Sequence, residues 1–90
     1  MSRDQQEAQL RLVVREYLSQ ELHRNVAGVG DSASLLESGT IDSVGVLELV
    51  ALLEQRQGIA VSDDDMVPEN FETIEAIARF VMEKRVANRG

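Results

Sequence analysis

Apolar residues recur at the three-to-four-residue spacing of an amphipathic α-helix in three segments of this chain, at about 5–22, 43–57 and 73–87. Only 59–62 alternates apolar and polar residues in the manner of an extended segment. A further short helix is expected at about 64–69, where Pro68 limits its extent. The pattern predicts an all-α fold, a small four-helix bundle with three main helices and a short third one.

A long loop joins the first two of these helices. Residues 25–42 hold three glycines and three serines, and their apolar anchors are Leu35, Leu36 and Ile41. Loops of this length are uncommon in compact domains and are often functional. With 90 residues the chain has room for one compact domain, which we predict to span 1–90.

Composition excludes several classes of protein. The chain has no cysteine, so it has no disulfide, no thiolate metal site and no cysteine nucleophile. No stretch approaches the length of a membrane span, and no apolar run near the N-terminus precedes a cleavage site, which predicts a cytoplasmic protein without membrane insertion. We expect a monomer.

The net charge of −7 is concentrated in the middle of the chain. Residues 37–75 contain ten of the sixteen acidic residues and one of the nine basic residues, Arg56. This acidic segment disfavours nucleic acid and anionic membranes as ligands, and it favours basic surfaces on protein partners. The alternative is that the acidic residues only keep a small domain soluble.

The second predicted helix is apolar on almost every side. At about 100° per residue, one face consists of Val46, Leu49, Val50 and Leu53, which we assign to the core. The opposite face consists of Val44, Leu47, Glu48, Ala51 and Gln55. An exposed apolar patch beside a carboxylate is typical of a docking site for a protein partner. The alternative, a helix buried on both sides, is difficult to build in a chain of this size.

Ser43 begins this helix, with Asp42 in the position of an N-cap. A catalytic serine needs a base within hydrogen-bond reach. The only histidine, His23, lies in a polar stretch at the end of the first helix, and the Gly-x-Ser-x-Gly pattern is absent around Ser43. We therefore predict no catalytic residue. The acidic run 63–65 lacks the alternation of a calcium loop and is interpreted as a solvated turn, so no metal site is predicted.

The run Asp-Ser-Val-Gly-Val-Leu-Glu-Leu, residues 42–49, resembles the phosphopantetheine attachment motif of acyl carrier proteins, Asp-Ser-aliphatic-x-x-aliphatic-Glu-aliphatic. The wider sequence from Leu35 to Val81 is similar to the same family through the long loop, the short third helix and the last helix. The Asp-Ser pair alone carries little information, since Asp31-Ser32 has it without a following helix.

The resemblance implies that Ser43 carries 4′-phosphopantetheine, attached covalently from coenzyme A by a phosphopantetheinyl transferase. The thiol of this arm would hold acyl or aminoacyl cargo as a thioester, so the protein would be a carrier and not an enzyme. Asp42 would help to engage the transferase and its metal, cap the helix, or do both. The partner docking face would be Val44, Leu47, Glu48 and Ala51.

The class of carrier is less constrained. Peptide-synthetase carriers usually have two glycines before the motif, where this chain has Gly-Thr-Ile, and fatty-acid carriers have a more acidic second helix. The segment 37–49 is similar to stand-alone carriers loaded by an adenylating ligase, including the D-alanyl carrier protein. Its partners would then be an acyl- or aminoacyl-activating ligase and a downstream acyltransferase or synthase. The alternatives are a fatty-acid or polyketide acyl carrier protein, and a non-catalytic acidic helical interaction module without a prosthetic group.

Three smaller expectations concern the second helix. Gly45 is expected to leave open space near the arm for a closely approaching partner. Gln57 stands where the family often has a large apolar residue, so either the core is closed differently there or the helix end is looser. A set of apolar residues between the helices is interpreted as ordinary core. The alternative is that it lines a cavity that shelters short acyl chains. The set consists of Leu49, Val50, Leu53, Ile59, Val61 and Ile74.

Overall fold

The computed structural model describes residues 2–88, and within that range it contains helices and no β-strand. The predicted all-α bundle with a long first loop is confirmed. The elements are α1 (Arg3–Glu16), which continues into a π-helical turn (Tyr17–Glu21), α2 (Ser43–Gln57), a 3₁₀ turn (Asp63–Asp65), α3 (Pro68–Phe71) and α4 (Ile74–Asn88).

Helix α1 starts two residues earlier than the periodicity predicts because Ser2 caps it. The Ser2 hydroxyl accepts the Gln5 N–H, and the Gln5 side chain accepts the Ser2 N–H, which forms a capping box. At its other end the helix widens into the π turn, where the Leu22 N–H donates to the Tyr17 carbonyl. His23 then has a φ of 56°, in the left-handed region, and the helix ends there.

Aliphatic side chains form most of the core, as the small number of aromatic residues requires. Buried aliphatic residues come from every main helix: Leu10, Val14, Leu18, Leu49, Leu53, Ile74, Ile77 and Val81. Each such side chain stabilises the fold by roughly 1.5–3 kcal/mol relative to an exposed position. Phe71 and Phe80 pack edge to face, with ring centroids 5.2 Å apart, and join α3 to α4.

The long loop follows a fixed path because Arg15 holds it against α1. The Arg15 guanidinium donates to Asp31 Oδ1 and to the carbonyls of Val26 and Val29. Further along, Leu35 is completely buried and its N–H donates to the Glu72 carbonyl. These contacts therefore fix the position of residues 41 and 42 at the start of α2.

The short third helix is present, but the predicted range of 64–69 is wrong. The segment is divided into the 3₁₀ turn Asp63–Asp65 and the helix Pro68–Phe71. Val67 between them is extended, with φ −118° and ψ 149°, because a residue before proline is sterically excluded from the helical region. Pro68 then occupies the first helical position, where its missing N–H costs nothing.

Gln57 closes the core with polar contacts. Its Nε2 donates to the Tyr17 hydroxyl at 2.8 Å, and its Oε1 accepts from Arg85. This half-buried bridge links the π turn, α2 and α4 at the place where the family often has an apolar side chain. Of the two expectations for Gln57, these contacts support a core that is closed differently.

Candidate functional site

The candidate site lies at the N-terminus of α2, which Asp42 caps. Asp42 is extended, its Oδ1 accepts the Gly45 N–H at 2.7 Å, and its carbonyl accepts the Val46 N–H at 3.0 Å. The side-chain bond satisfies one of the four backbone donors that a helix leaves open at its start, and the bond from Val46 is the first regular bond of the helix. Asp42 therefore fixes the direction in which α2 leaves the loop.

Ser43, the first residue of α2, is exposed to solvent. Within residues 2–88 its hydroxyl has no hydrogen-bond partner, and the backbone N–H groups of Ser43 and Val44 have no acceptor. The site thus combines an accessible oxygen nucleophile with two free donors at the positive end of a helix, where a negative group is stabilised.

Gly45 does not leave open space, so that expectation is wrong. Gly45 is buried, and a Cβ built on it would lie 2.5 Å from Ile41 Cγ1 and 3.2 Å from Asp42 Oδ1. The side chain of Ile41, at the end of the long loop, occupies the volume that a partner would have entered.

The two faces of α2 are separated as the periodicity predicts. Leu49, Val50 and Leu53 are buried, whereas Val44 and Leu47 are 63% and 60% exposed. Glu48, Ala51 and Gln55 on the same outer face are also exposed. Val46, assigned to the core from sequence, is only half-buried and packs at the edge of the core.

Sequence reasoning missed an apolar groove beside Ser43, with a volume of about 330 Å³. It lies between the long loop, α2 and the segment around α3, and its lining consists of Leu36, Ser43, Val46, Leu47, Met66, Val67, Pro68 and Phe71. The nearest sequence signal is the apolar run Met66-Val67-Pro68 directly after three acidic residues. The set interpreted from sequence as ordinary core packs as core, since all of its members are buried except Val61, which is half-buried.

One cation lies close to the helix start. Arg24 Nη2 is 3.8 Å from Asp42 Oδ1, and Arg24 Nε is buried without a hydrogen-bond partner. On the other side of the groove, Asp65 is engaged by Lys84 and by the backbone N–H and hydroxyl of Ser62. The hydrogen bond from Lys84, followed by those from Ser62, lowers the pKa of Asp65 below its usual value of 3.8.

Among residues 2–88 no carboxylate or imidazole hydrogen-bonds the Ser43 hydroxyl. His23 is exposed and makes no side-chain hydrogen bond in that range. Over the same residues, no group of three or more His, Asp or Glu side chains could hold a metal ion. Among the helices of this part of the chain, none has the length and apolar character needed to cross a membrane.

Two comparisons bear on this site. The family model described as the phosphopantetheine attachment site matches residues 13–81, which include the first loop, all of α2 and most of α4. A comparison with curated proteins found no match to the chain.

Proposed function

Because the chain belongs to the phosphopantetheine attachment family, we propose that Ser43 is the residue that bears its prosthetic arm. Members of this family carry 4′-phosphopantetheine covalently, so the chain is a phosphopantetheine-carrying carrier protein. When bound, the arm supplies a thiol for thioester formation, a group that this cysteine-free chain lacks. The observation that carries the assignment to Ser43 is its exposed hydroxyl at the start of α2, which has no hydrogen-bond partner in the range 2–88.

The residues at the helix start fit a phosphodiester on Ser43. The free N–H groups of Ser43 and Val44 are donors for its oxygens, and the helix dipole favours its negative charge. Within residues 2–88 no acceptor competes for those donors. Asp42 holds the helix start in place through its bond to the Gly45 N–H.

Attachment requires Ser43 Oγ to form a bond to the β-phosphorus of coenzyme A while the bond to the adenosine 3′,5′-bisphosphate leaving group breaks. The hydroxyl proton goes to a base of the transferase, since no base of this chain contacts Ser43 in the range 2–88. Asp42 is exposed beside the reacting oxygen, and we assign it a second role in engaging the transferase and its metal.

The outer face of α2 is proposed as the docking surface for the transferase and for the ligase or synthase that a carrier serves. Val44 and Leu47 provide exposed apolar area, Ala51 allows close approach, and Glu48 adds a negative charge. Six large apolar side chains are exposed among the residues described, and four of them surround Ser43: Leu36, Val44, Leu47 and Val67. Such clustering distinguishes an interaction surface from isolated exposed side chains.

For the class of carrier, we favour a stand-alone carrier loaded by an adenylating ligase, on the sequence of residues 37–49. The groove beside Ser43 supports the alternative, a fatty-acid or polyketide carrier. Its lining is almost entirely apolar, which suits an acyl chain, whereas burying the ammonium of an aminoacyl group is costly. The two classes therefore differ in the expected location of the cargo: an acyl chain would lie in the groove, and an aminoacyl group would stay in solvent.

The proposed attachment is tested by incubation with coenzyme A and a broad-specificity phosphopantetheinyl transferase, followed by intact mass spectrometry. Wild type should gain one phosphopantetheinyl group, and Ser43→Ala should gain none. The matched control is Ser32→Ala, which removes the serine of the other Asp-Ser pair and should leave the gain intact. An unmodified wild type would support the interaction module without an arm, whereas equal gain in Ser43→Ala would assign the arm to another residue and overturn the role of Ser43.

Cargo class is tested on the modified protein. Its free thiol is offered to activating enzymes for amino acids, fatty acids and malonyl-type acids, and thioester formation is measured by mass. Preferential loading by an amino-acid-activating ligase supports the favoured class. Preferential loading with long acyl chains, together with chemical-shift changes at Met66 and Phe71, supports the alternative.

A further inference from the structure

Arg24 reaches the start of α2 from the end of the first helical segment. Its N–H donates to the Leu18 carbonyl at 2.8 Å, and His23 before it has the left-handed backbone that ends the helix. The chain turns there, and the Arg24 guanidinium comes to lie 3.8 Å from the Asp42 carboxylate. Asp42 and Ser43 are consecutive, so Arg24 brings a positive charge close to the start of the helix that Ser43 begins.

The guanidinium of Arg24 makes no hydrogen bond to any of residues 2–88. Its Nε is buried and has no partner, and the 3.8 Å separation from Asp42 exceeds hydrogen-bond distance. Arg15 makes the contrast clear, since its guanidinium bonds both a carboxylate and two carbonyls. Asp42 is an incomplete partner because its Oδ1 already accepts the Gly45 N–H.

A phosphodiester on Ser43 would place a second negative charge next to Asp42. The surrounding segment, residues 37–75, has ten acidic residues and one basic residue, so it offers little compensation. A guanidinium is suited to this task because its planar fork of donors matches the oxygens of a phosphate. The unused donors, the charge and the position of Arg24 therefore point to the same ligand.

We propose that Arg24 binds the phosphodiester on Ser43 and restrains the proximal part of the arm. The proposal rests on Ser43 being the attachment residue. Arg24 is a positioning residue in this scheme: it takes no part in bond formation, and it offsets the repulsion between the phosphodiester and Asp42. Its guanidinium moves from a loose contact with the carboxylate to hydrogen bonds with the phosphate oxygens.

The test is ³¹P NMR of the modified protein, compared between wild type, Arg24→Gln and Arg24→Lys. We expect Arg24→Gln to shift the phosphodiester resonance and to slow its transverse relaxation, because the arm becomes freer. Arg24→Lys should be intermediate, since lysine keeps the charge and loses the fork. The matched control is Arg56→Gln, which removes a charge paired with Glu21 at the far end of α2 and should leave the resonance unchanged.

Two further measurements distinguish binding of the phosphodiester by Arg24 from a purely structural effect of its substitution. The wild-type resonance should approach that of Arg24→Gln as salt shortens the Debye length from about 30 Å at 0.01 M to about 3 Å at 1 M. In wild type, the Arg24 Nε–H signal should move on modification, and treatment of Ser43→Ala with the same reagents should not move it. Equal ³¹P shifts and relaxation in wild type and Arg24→Gln, or an unmoved Nε–H signal, would overturn the inference.

The two proposals fail in different ways. A wild type that gains no mass overturns both the assignment of Ser43 and the role of Arg24. A wild type that is modified on Ser43 but shows no response to Arg24 substitution overturns the role of Arg24 alone.

Discussion

The side chain of Ile41 fills the space above the Cα of Gly45, so that a β-carbon at Gly45 would stand 2.5 Å from Ile41 Cγ1. This contact joins the end of the long loop to the first turn of α2. It also explains why a residue with poor helix propensity lies inside a helix, since glycine costs about 1 kcal/mol there relative to alanine. Because glycine has no side chain, Ile41 can pack directly against this turn of α2.

Gly45→Ala should destabilise the protein. Alanine improves the helix propensity by about 1 kcal/mol. Overpacking against Ile41 outweighs this gain, since it typically costs about 1–3 kcal/mol. We expect a net loss of about 1 kcal/mol in the free energy of unfolding, measured by urea denaturation. The added Ile41→Ala substitution should relieve the clash, so the two changes should be non-additive.

Gly30→Ala is the control for this prediction. A Cβ at Gly30 meets nothing within 4 Å, so its substitution should be neutral or slightly stabilising. If Gly45→Ala proved as stable as wild type, the contact with Ile41 would not restrict the size of the side chain at position 45.

Two roles of Asp42 can be separated by two substitutions. Asp42→Ala removes the acceptor of the Gly45 N–H and should cost about 1 kcal/mol of stability. Asp42→Asn keeps a good N-cap, so its stability should stay close to that of wild type. If Asp42 also engages the transferase and its metal, Asp42→Asn should nevertheless be modified more slowly, as followed by intact mass over time.

Thr73→Ala provides a cap-only comparison. The Thr73 hydroxyl accepts the Ala76 N–H at 2.9 Å at the start of α4, so its loss should destabilise the protein to a similar extent. Its modification rate should remain that of wild type under conditions where both proteins are folded. Equal rates for Asp42→Asn and wild type would limit Asp42 to capping.

The outer face of α2 is tested by truncating its exposed apolar side chains. Val44→Ala and Leu47→Ala should change the free energy of unfolding by less than about 0.5 kcal/mol, as surface substitutions usually do. They should reduce kcat/KM for modification by at least about five-fold if either residue is an interface anchor worth over 1 kcal/mol. Leu12→Ala, at a 67% exposed position on α1, should alter neither quantity.

Val44 and Leu47 also separate docking from the groove. Leu47 lines the groove and Val44 does not. A defect in partner reactions shared by both variants therefore indicates docking on the outer face. A defect confined to Leu47→Ala, seen with apolar cargo, would indicate that the groove binds the cargo. Wild-type rates in both variants would show that this face is not the docking surface.

Much of this site could be predicted from the sequence because its determinants are local. Helical periodicity placed Val44 and Leu47 on one face and Leu49 and Leu53 on the other, and the helix is observed over the predicted range 43–57. The cap is local as well, since Asp42 acts on a backbone N–H only three residues away. The role of Ser43 as attachment residue stays a prediction.

The features that escaped prediction depend on the path that the chain takes through the fold. The groove is lined by three segments, from Leu36 to Phe71, and nothing in their individual patterns shows that they meet. The approach of Arg24 to Asp42 depends on the left-handed turn at His23, and the packing of Ile41 on Gly45 depends on the path of the loop. The expectation of open space at Gly45 follows from its missing side chain, and it is wrong because Ile41 packs into that space.

The ion pair between Asp65 and Lys84 should make stability depend on pH in the acid range. Lys84 hydrogen-bonds Asp65 and lowers its pKa in the folded protein below the usual 3.8. A lowered folded-state pKa means that the pair stabilises the protein fully above the unfolded pKa and loses this contribution as the pH falls through the folded pKa. Urea unfolding of wild type and Asp65→Asn should differ most near neutral pH, and the difference should shrink as the pH falls below 3.8 and through the lowered pKa of Asp65.

Asp64→Asn is the matched comparison, because Asp64 is a neighbouring exposed acid without an ion pair among residues 2–88. Its stability should follow that of wild type with little change in pH dependence. Since Asp65 holds the turn that leads to Met66 and Val67, Asp65→Asn should also broaden the backbone resonances of these two groove residues at neutral pH. A constant difference in stability between wild type and Asp65→Asn from neutral pH to pH 3 would show that the charge of Asp65 is not what stabilises this turn.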